Sequence, residues 1–301
     1  MKILCYKNSK LGDYLITLPS IKLIKKKNKK CKIYYLSVKS KFYKDLPKKF
    51  EKTDLVNEFI YFNNTFVDKF KLIFYLRKKK FDKFYYLQEK STLLREFRDF
   101  IYFKLLNIKI FKGFFSKKKN YISQNETFQI ARRVDKYVTN QEIQNLGSIK
   151  NESYIPLFKF DYITISIGGF SQPKIWKLQN WSILLRLILN KFRFKIVIVG
   201  TKHDFHKANI LSLISKKNII NLCGKSNIDD LLRIIKFSKF HITNDNGSMH
   251  LATLFKKKTI CLFNNHDPIG KWNPSNRNAI ILRSKGGVNL INPYIVYGKL
   301  I

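Results

Sequence analysis

Strand-like and helix-like segments alternate along almost the whole of this 301-residue chain. Short apolar or β-branched runs are followed by polar turns and then by longer segments with helical spacing, a pattern typical of parallel α/β sheets. The first set predicts strands at 2–6, 32–38, 57–62 and 81–87 and helices at 13–27, 65–79 and 89–106, the first helix being interrupted by Pro19. The second set predicts strands at 162–167, 194–199, 219–223, 240–243 and 259–263, the last completing the sheet, and helices at 181–191, 205–214 and 228–237.

A polar stretch at 140–160, containing Gly147 and Pro156, separates the two sets and is interpreted as a linker. A chain of this length can form two domains with separate cores. We therefore expect an α/β protein with two Rossmann-like domains, residues 1–155 and 156–301. Their parallel sheets are expected to face a central cleft, because open α/β sheets bind ligands at the carboxyl ends of their strands.

Charge and cysteine content limit the partners and the compartment. Lysine and arginine outnumber the acidic residues by 59 to 20, a net charge of +39 that attracts nucleic acid, anionic lipid or acidic glycans. The codon bias of an AT-rich genome explains the same lysines equally well, so charge alone does not name the partner. The four cysteines are isolated, which predicts reduced thiols in the cytoplasm and no metal centre. No apolar run is long enough for a signal peptide or a membrane span, which predicts a soluble or peripheral protein.

The segment at 244–252 (NDNGSMHLA) passes from a predicted strand through a polar turn into helical spacing. The backbone amides from Gly247 to His250 would then form the unpaired first turn of a helix, and such a helix end attracts anions. An ordinary capped helix is the alternative interpretation. His241, at the start of the preceding apolar strand, is expected to be structural.

Two further loops follow predicted strands. The loop at 7–13 ends in Asp13, which either stabilises a helix N-terminus or acts as a general base towards a bound hydroxyl. The loop at 167–177 contains Gly168 and Gly169, which allow a ligand to approach the backbone, and Lys174, which could bind a phosphate or lie in solvent. Neither a P-loop nor a dinucleotide fingerprint is present. His203 and Asp204 are interpreted as part of a helix start rather than a catalytic dyad.

In their order along the chain, several short segments resemble the motifs of glycosyltransferase family 9, the lipopolysaccharide heptosyltransferase family, whose fold is the two-domain GT-B fold. These segments are 11–19 (LGDYLITLP), 174–176 (KIW) with Trp181, 221–226 (NLCGKS), 244–252 (NDNGSMHLA), and Leu262-Phe263 leading to Asp267-Pro268 and Trp272. The resemblance spans nearly the full length of the chain.

The resemblance implies an inverting transfer of a sugar from a nucleotide donor, with no metal and no cofactor. Asp13 would take the proton of the acceptor hydroxyl, and Lys174 with the amides of 247–250 would hold the diphosphate leaving group. The implied catalytic residues are Asp13 and Lys174, and the implied donor-binding residues are Gly168, Gly169, Asp245, Asn246, Gly247, Ser248, Met249 and His250. The second domain would bind the nucleotide sugar and the first domain the acceptor.

The favoured donor is ADP-heptose, and the implied acceptor is a lipid-anchored, anionic glycan of the lipopolysaccharide inner core. The protein would be cytoplasmic and peripheral at the inner membrane, with no specific nucleic-acid partner. Lys202, Asn246 and Asn264 depart from the family pattern. Lys202, at a position after a strand where similar heptosyltransferases often carry Glu, keeps another nucleotide sugar open as an alternative. An alternative from a different class is a non-catalytic, basic α/β protein that binds nucleic acid.

Overall fold

The chain folds into two compact units, residues 1–149 and residues 150–301. The computed structural model describes residues 1–39, 49–50, 53–89, 92–115, 125–149, 154–169, 171–265, 268–275 and 278–301, with only the backbone described at 49–50 and 53–54. Within these ranges, no helix has the length and apolarity needed to cross a lipid bilayer.

Unit 1 contains a five-stranded, parallel sheet with the strand order β5-β2-β1-β6-β7. Its strands are β1 (Lys2–Tyr6), β2 (Lys32–Val38), β5 (Glu58–Phe62), β6 (Lys83–Tyr86) and β7 (Ile110–Lys112), and β3 (Lys49–Phe50) and β4 (Thr53–Asp54) form a separate hairpin. Its helices are α1 (Leu11–Leu15), α2 (Leu18–Lys27), α3 (Phe66–Lys79), α4 (Leu93–Lys104), α5 (Glu126–Val134) and α6 (Asn140–Leu146). β1 is central, and its Ile3, Leu4 and Cys5 are fully buried.

Helices cover both faces of this sheet. α3 and α4 pack on one side against a core that includes Leu72, Phe84 and Phe103, while α5 and α6 both pack against α2. The helix predicted at 13–27 is two helices, because Pro19 lies in the first turn of α2, where its missing N–H costs nothing.

Unit 2 contains a six-stranded, parallel sheet with the order β10-β9-β8-β11-β12-β13. Its strands are β8 (Tyr162–Ser166), β9 (Lys195–Ile198), β10 (Ile219–Asn221), β11 (His241–Asn244), β12 (Thr259–Phe263) and β13 (Ala279–Arg283). Its helices are α7 (Leu178–Lys191), α8 (Phe205–Ser212), α9 (Ile228–Phe237), α10 (Gly247–Leu254) and α11 (Pro293–Tyr297). β8, β11 and β12 are buried along their whole length, as expected for strands covered on both faces.

Two expectations about element positions are wrong. The stretch at 140–160 is not a linker throughout, because its first part forms α6, whose N-cap Thr139 and Glu142 form a capping box. The strand at 259–263 does not complete the second sheet, because β13 pairs with it along its whole length. Every residue of β13 is only partly buried, so its burial pattern is that of an edge strand.

Candidate functional site

The strand order of the second sheet reverses between β8 and β11, which are neighbours in the sheet although two strands separate them in the chain. Open α/β sheets bind ligands at the carboxyl edge of such a reversal. The predicted donor-binding residues follow these two strands: Gly168, Gly169 and Lys174 come after β8, and residues 245–250 come after β11. The structure therefore brings the two predicted segments to one place.

Lys174 and Asp245 form the charged centre of this edge. The Nζ atom of Lys174 lies 2.6 Å from Oδ2 of Asp245, and their side chains are 21% and 7% exposed. Lys174 ends a short 3-10 helix at Gln172–Lys174 that Pro173 helps to start. The carboxylate is thus almost buried, while the ammonium remains within reach of solvent.

Asn246 is the N-cap of α10 and also ties the helix to β8. Its Oδ1 accepts hydrogen bonds from the amide of Ser248 at 2.9 Å and from the Ser248 hydroxyl at 2.7 Å. Its Nδ2 donates to the Ser166 hydroxyl at 3.0 Å and to the Gly168 carbonyl at 2.8 Å. Asparagine is a good N-cap, and its amide nitrogen adds donors that serine or threonine would lack.

The expectation that all the amides from Gly247 to His250 are unpaired is wrong for two of them. The Ser248 amide is capped by the Asn246 side chain, and the Met249 amide donates to the Asn246 carbonyl at 3.2 Å. The Gly247 amide has no hydrogen-bond partner in the part of the chain that the structure describes. The alternative of a capped helix is therefore correct for Ser248. Fewer backbone amides at the N-terminus of α10 are free to bind an anion than predicted.

The loop that carries Lys174 is anchored by buried side chains that the sequence analysis did not single out for this purpose. Asn244 is fully buried, and its Nδ2 donates to the Ile167 carbonyl at 2.7 Å. The indole of Trp176 donates to the Ile291 carbonyl at 3.0 Å and packs edge-on against Trp181. Trp176 and Trp181 thus hold the loop against the core, which places Lys174 beside β11.

His241 links strand and helix through buried hydrogen bonds. Its Nδ1 lies 2.9 Å from the Thr164 hydroxyl and its Nε2 lies 2.9 Å from the Ser248 hydroxyl. The Ser248 hydroxyl donates to Asn246 Oδ1, so it accepts from a protonated Nε2 of His241. Burial, with the charge of Lys257 adding to it, lowers the pKa of His241 to about 3. The structural role expected for His241 agrees with this geometry.

Gly168 is needed to admit a neighbouring carboxylate. A Cβ at this position would lie 2.5 Å from Oδ1 of Asp204, and one at Gly200 would lie 2.8 Å from Oδ2. The same Oδ2 accepts hydrogen bonds from the amide and hydroxyl of Thr201, each at 2.8 Å. Asp204 is therefore part of a helix start, as predicted, and the T-x-x-D spacing was the signal for its position. A Cβ at Gly169 would meet Ile175 at 3.0 Å, and ligand contacts of both glycines stay a prediction.

Asp13 lies in unit 1, on the third residue of α1, just after the carboxyl end of the central strand β1. Its Oδ2 accepts the amide of Lys10 at 3.1 Å, which leaves Oδ1 outside this cap. Burial lowers the pKa of the Lys10 ammonium, and the charge of Asp13 opposes that change. The carboxylate is half-buried, so it stabilises the helix start and remains reachable from solvent.

The first sheet reverses its strand order between β1 and β6, and buried polar groups collect there. Lys7, immediately after β1, is fully buried, and its Nζ lies 3.7 Å from Oε1 of Glu89, which follows β6. Among the described residues, neither Lys7 Nζ nor Gln88 Nε2 has a hydrogen-bond partner. A role for Lys7 was not predicted, because its burial depends on strands that are distant in the chain.

In the described ranges, no group of three or more His, Cys, Asp or Glu side chains is placed to hold a metal ion. His266 and Asp267, the latter part of the last motif, lie outside the described residues. Trp272 of the same motif packs against Met249, Cys261 and Phe263. Asn264 is buried, and its carbonyl accepts a hydrogen bond of 2.9 Å from Arg283.

Solved structures with the same fold include three of Escherichia coli enzymes. ADP-heptose LPS heptosyltransferase II is 17% identical to this chain with a TM-score of 0.76, the match covering 100% of this chain and 97% of that one. Heptosyltransferase WaaC with ADP is 15% identical with a TM-score of 0.74, covering 100% and 99%. A second WaaC structure, with ADP-2-deoxy-2-fluoro heptose, is 15% identical with a TM-score of 0.73, covering 100% and 99%.

Two parallel α/β units with this likeness define the GT-B fold, which confirms the predicted fold class. No curated protein matches the sequence. The model of the family described as glycosyltransferase family 9 (heptosyltransferase) matches residues 114–289, more than half of the chain. The chain belongs to glycosyltransferase family 9. This membership confirms the predicted family and favours an enzyme over the nucleic-acid-binding alternative.

Proposed function

We propose that this chain is an inverting, metal-independent glycosyltransferase that transfers heptose from ADP-heptose onto a lipopolysaccharide inner-core acceptor. The observation that carries the proposal is the Lys174–Asp245 pair beside the N-terminus of α10, within the motifs that resemble those of family 9. The E. coli WaaC structures with ADP and with ADP-2-deoxy-2-fluoro heptose support the choice of donor. Relatives that use another nucleotide sugar are the alternative.

On the donor side, Lys174 and the start of α10 hold the diphosphate. When the anomeric C–O bond breaks, negative charge grows on the diphosphate that leaves with the bonding electrons. A lysine ammonium, the Gly247 amide and the positive end of a helix dipole all stabilise such charge. Asp245 orients the ammonium and contacts donor hydroxyls, and His250 supports the turn. The Asn246 cap keeps the N-terminus of α10 in place while the anomeric C–O bond of the donor breaks.

On the acceptor side, Asp13 is the general base. The acceptor hydroxyl gives its proton to the carboxylate while its oxygen attacks the anomeric carbon, and a single displacement of this kind inverts the configuration. The cap to Lys10 uses Oδ2, so Oδ1 is the oxygen assigned to the proton. A base must lie within hydrogen-bond reach of the hydroxyl, which the position of Asp13 at the carboxyl edge of the sheet allows.

The acceptor is proposed to be a lipid-anchored, anionic glycan, and the protein to work at the cytoplasmic face of the inner membrane. The net charge of +39 supports an anionic partner of this kind. Unit 1 is assigned to the acceptor and unit 2 to the donor.

The test is transfer from radiolabelled ADP-heptose to inner-core lipid by the wild type and by Asp13→Asn. We expect turnover to fall by about two to four orders of magnitude, the usual contribution of a general base, with the Kd for donor unchanged. Asp82→Asn is the matched control, since Asp82 also accepts a backbone amide, that of Lys2 at 2.6 Å, but at the other end of the strands. Equal turnover of Asp13→Asn and Asp82→Asn would contradict the role of Asp13.

A further inference from the structure

The outward side of α4 is apolar, the reverse of an ordinary surface helix. Leu94, Phe97 and Ile101, spaced three and four residues apart, are all at least half exposed, and Leu94 is 82% exposed. Leu105 continues the stripe one turn further. The side that faces the core carries two acids, Glu96 and Asp99, together with Phe103. The helix is therefore inverted: its carboxylates are buried, while the side chains of Leu94, Phe97 and Ile101 contact solvent.

α3 adds a second exposed apolar row. Phe66, Phe70 and Phe74 recur every four residues, Phe66 is 86% exposed, and the rings of Phe70 and Phe74 contact each other edge-on at 5.0 Å. The hydroxyl of Tyr102 on α4 donates to the Lys69 carbonyl on α3 at 2.7 Å, so the two helices lie side by side. We call this surface the apolar face, and its residues are Phe66, Phe70, Phe74, Leu94, Phe97, Ile101 and Leu105.

Exposed charges around the apolar face are positive. The two acids of α4 are used internally: Glu96 pairs with Arg133 at 3.2 Å, and Asp99 accepts from Tyr86 at 2.9 Å and from Arg98 at 2.7 Å. The exposed charged residues of the two helices are all basic, namely Lys71, Arg77, Lys78, Arg95, Arg98 and Lys104. Apolar side chains rimmed by arginine and lysine are the pattern of a surface that enters the headgroup region of an anionic bilayer.

The positive charge around the apolar face favours an anionic lipid surface over a second copy of this chain as its binding partner. A second copy of this chain would bring the same basic rim and a second net charge of +39 against the first, which opposes pairing. An anionic lipid surface brings the opposite charge and an apolar interior for the side chains. Large exposed apolar patches on soluble proteins mark interaction sites. An anionic lipid surface matches both the apolar side chains and the basic rim of the apolar face.

The apolar face lies near the carboxyl edge of the sheet in unit 1, and this position indicates its function. α3 begins shortly after β5 and α4 shortly after β6, so Phe66 and Leu94 lie near the carboxyl edge of the sheet. Asp13 lies at the same edge, after β1. We propose that the apolar face docks the protein on an anionic lipid bilayer and presents the carboxyl edge of unit 1 to lipid-anchored acceptors. This inference rests on the proposed function for the identity of the acceptor, but not for the docking itself.

The test is flotation of the full chain with vesicles of phosphatidylcholine alone and of phosphatidylcholine with phosphatidylglycerol. The face variant is Leu94→Ser/Phe97→Ser/Ile101→Ser, and the matched control is Leu213→Ser/Leu290→Ser/Ile295→Ser, three exposed apolar residues of unit 2. We expect the wild type and the control to bind the anionic vesicles alike and the face variant to bind at least about tenfold more weakly, because it loses the inserted apolar surface. A face variant that binds like the control, or a wild type that binds neither vesicle, overturns the proposal.

Three readouts keep the result interpretable. Thermal unfolding shows that the face variant is folded, and Arg95→Glu/Lys104→Glu, which changes only exposed residues, is the second variant and is expected to lose binding as well. Sedimentation velocity detects a dimer, and a wild-type dimer that the face variant dissociates, with vesicle binding unchanged, would assign the face to a second copy. Binding of ADP-heptose is measured in parallel: its failure in the wild type contradicts the proposed donor and leaves the vesicle result standing.

Discussion

The ammonium of Lys174 and the carboxylate of Asp245 lie 2.6 Å apart although 71 residues separate them in the chain. The pair joins the loop after β8 to the turn before α10, across two neighbouring strands. Since Asp245 is almost buried and Lys174 is not, the carboxylate holds the cation at the edge of the sheet, where it remains available to an anion.

Replacement of Lys174 by methionine should weaken donor binding. The substitution keeps the length of the side chain and removes the charge that contacts the diphosphate, and hydrogen bonds to charged groups contribute about 1.5–3 kcal/mol, or about ten- to a hundredfold in Kd. Calorimetric titration with ADP-heptose measures the change. Lys177→Met, in the same loop but exposed, is the matched control. An unchanged Kd for Lys174→Met would remove Lys174 from the donor site.

Replacement of Asn246 should reveal its double role as a cap and a cross-link. Asn246→Ala loses the cap on Ser248 and should lower the free energy of unfolding by about 1–2 kcal/mol in urea titrations. Asn246→Ser keeps a capping oxygen but loses the bonds to Ser166 and Gly168, so its loss should be smaller. Alanine and serine variants of equal, wild-type stability would show that the cap contributes nothing.

The ion pair of Glu96 and Arg133 should be sensitive to the loss of one partner. Their side chains are 5% and 4% exposed, so Glu96→Gln leaves a buried, uncompensated guanidinium, at a cost of about 3–5 kcal/mol. The double variant Glu96→Gln/Arg133→Met should recover part of the loss. The control is Asp161→Asn, which removes an exposed pair with Lys239 and should change stability little. If Glu96→Gln and Asp161→Asn are equally stable, the buried pair of Glu96 and Arg133 does not stabilise the fold.

Stability should fall as the pH is lowered below the ordinary pKa of histidine. Folding holds His241 neutral, with its pKa lowered from 6.5 to about 3 by burial. Between these values the unfolded chain binds a proton that the folded chain does not, so the free energy of unfolding decreases by about 1.4 kcal/mol per pH unit below 6.5 and levels off near 3, with no effect above 6.5. Urea titrations of the wild type and of His241→Asn measure this slope. A slope that persists in His241→Asn, or that is lost instead in the exposed control His206→Asn, would contradict the assignment.

Much of the fold could be predicted because local signals agree with it. The Asn-Asp-Asn-Gly turn after 240–243 and the helix that follows lie where the apolar runs and turn residues indicate. α6 was missed because its apolar periodicity is weak, although Thr139 and Glu142 give a capping signal. The burial of Glu96 and Asp99 was not predicted, since both look like surface residues until the partners that bury them are known.

The segments that form the candidate site could be predicted from the sequence, but the contacts between them could not. The turn residues and a recognisable motif mark the loops at 168–174 and 245–250, but contacts between strands far apart in sequence decide what each side chain does. Pairing of Lys174 with Asp245, occupation of the space beside Gly168 by Asp204, and the bonds from Asn246 to β8 all depend on the reversal of strand order at β8 and β11. Spacing along the chain carries no record of these contacts.

The most direct test of the account is a thermal-shift screen of the wild type against ADP-heptose and matched UDP-, GDP- and CMP-sugars. A ligand that binds only the folded state raises its stability by RT ln(1 + [L]/Kd), so the screen reports donor choice without needing the acceptor. We expect a rise in Tm with ADP-heptose that is smaller in Lys174→Met. No shift with ADP-heptose, together with a clear shift from a sugar of another nucleotide, would contradict it.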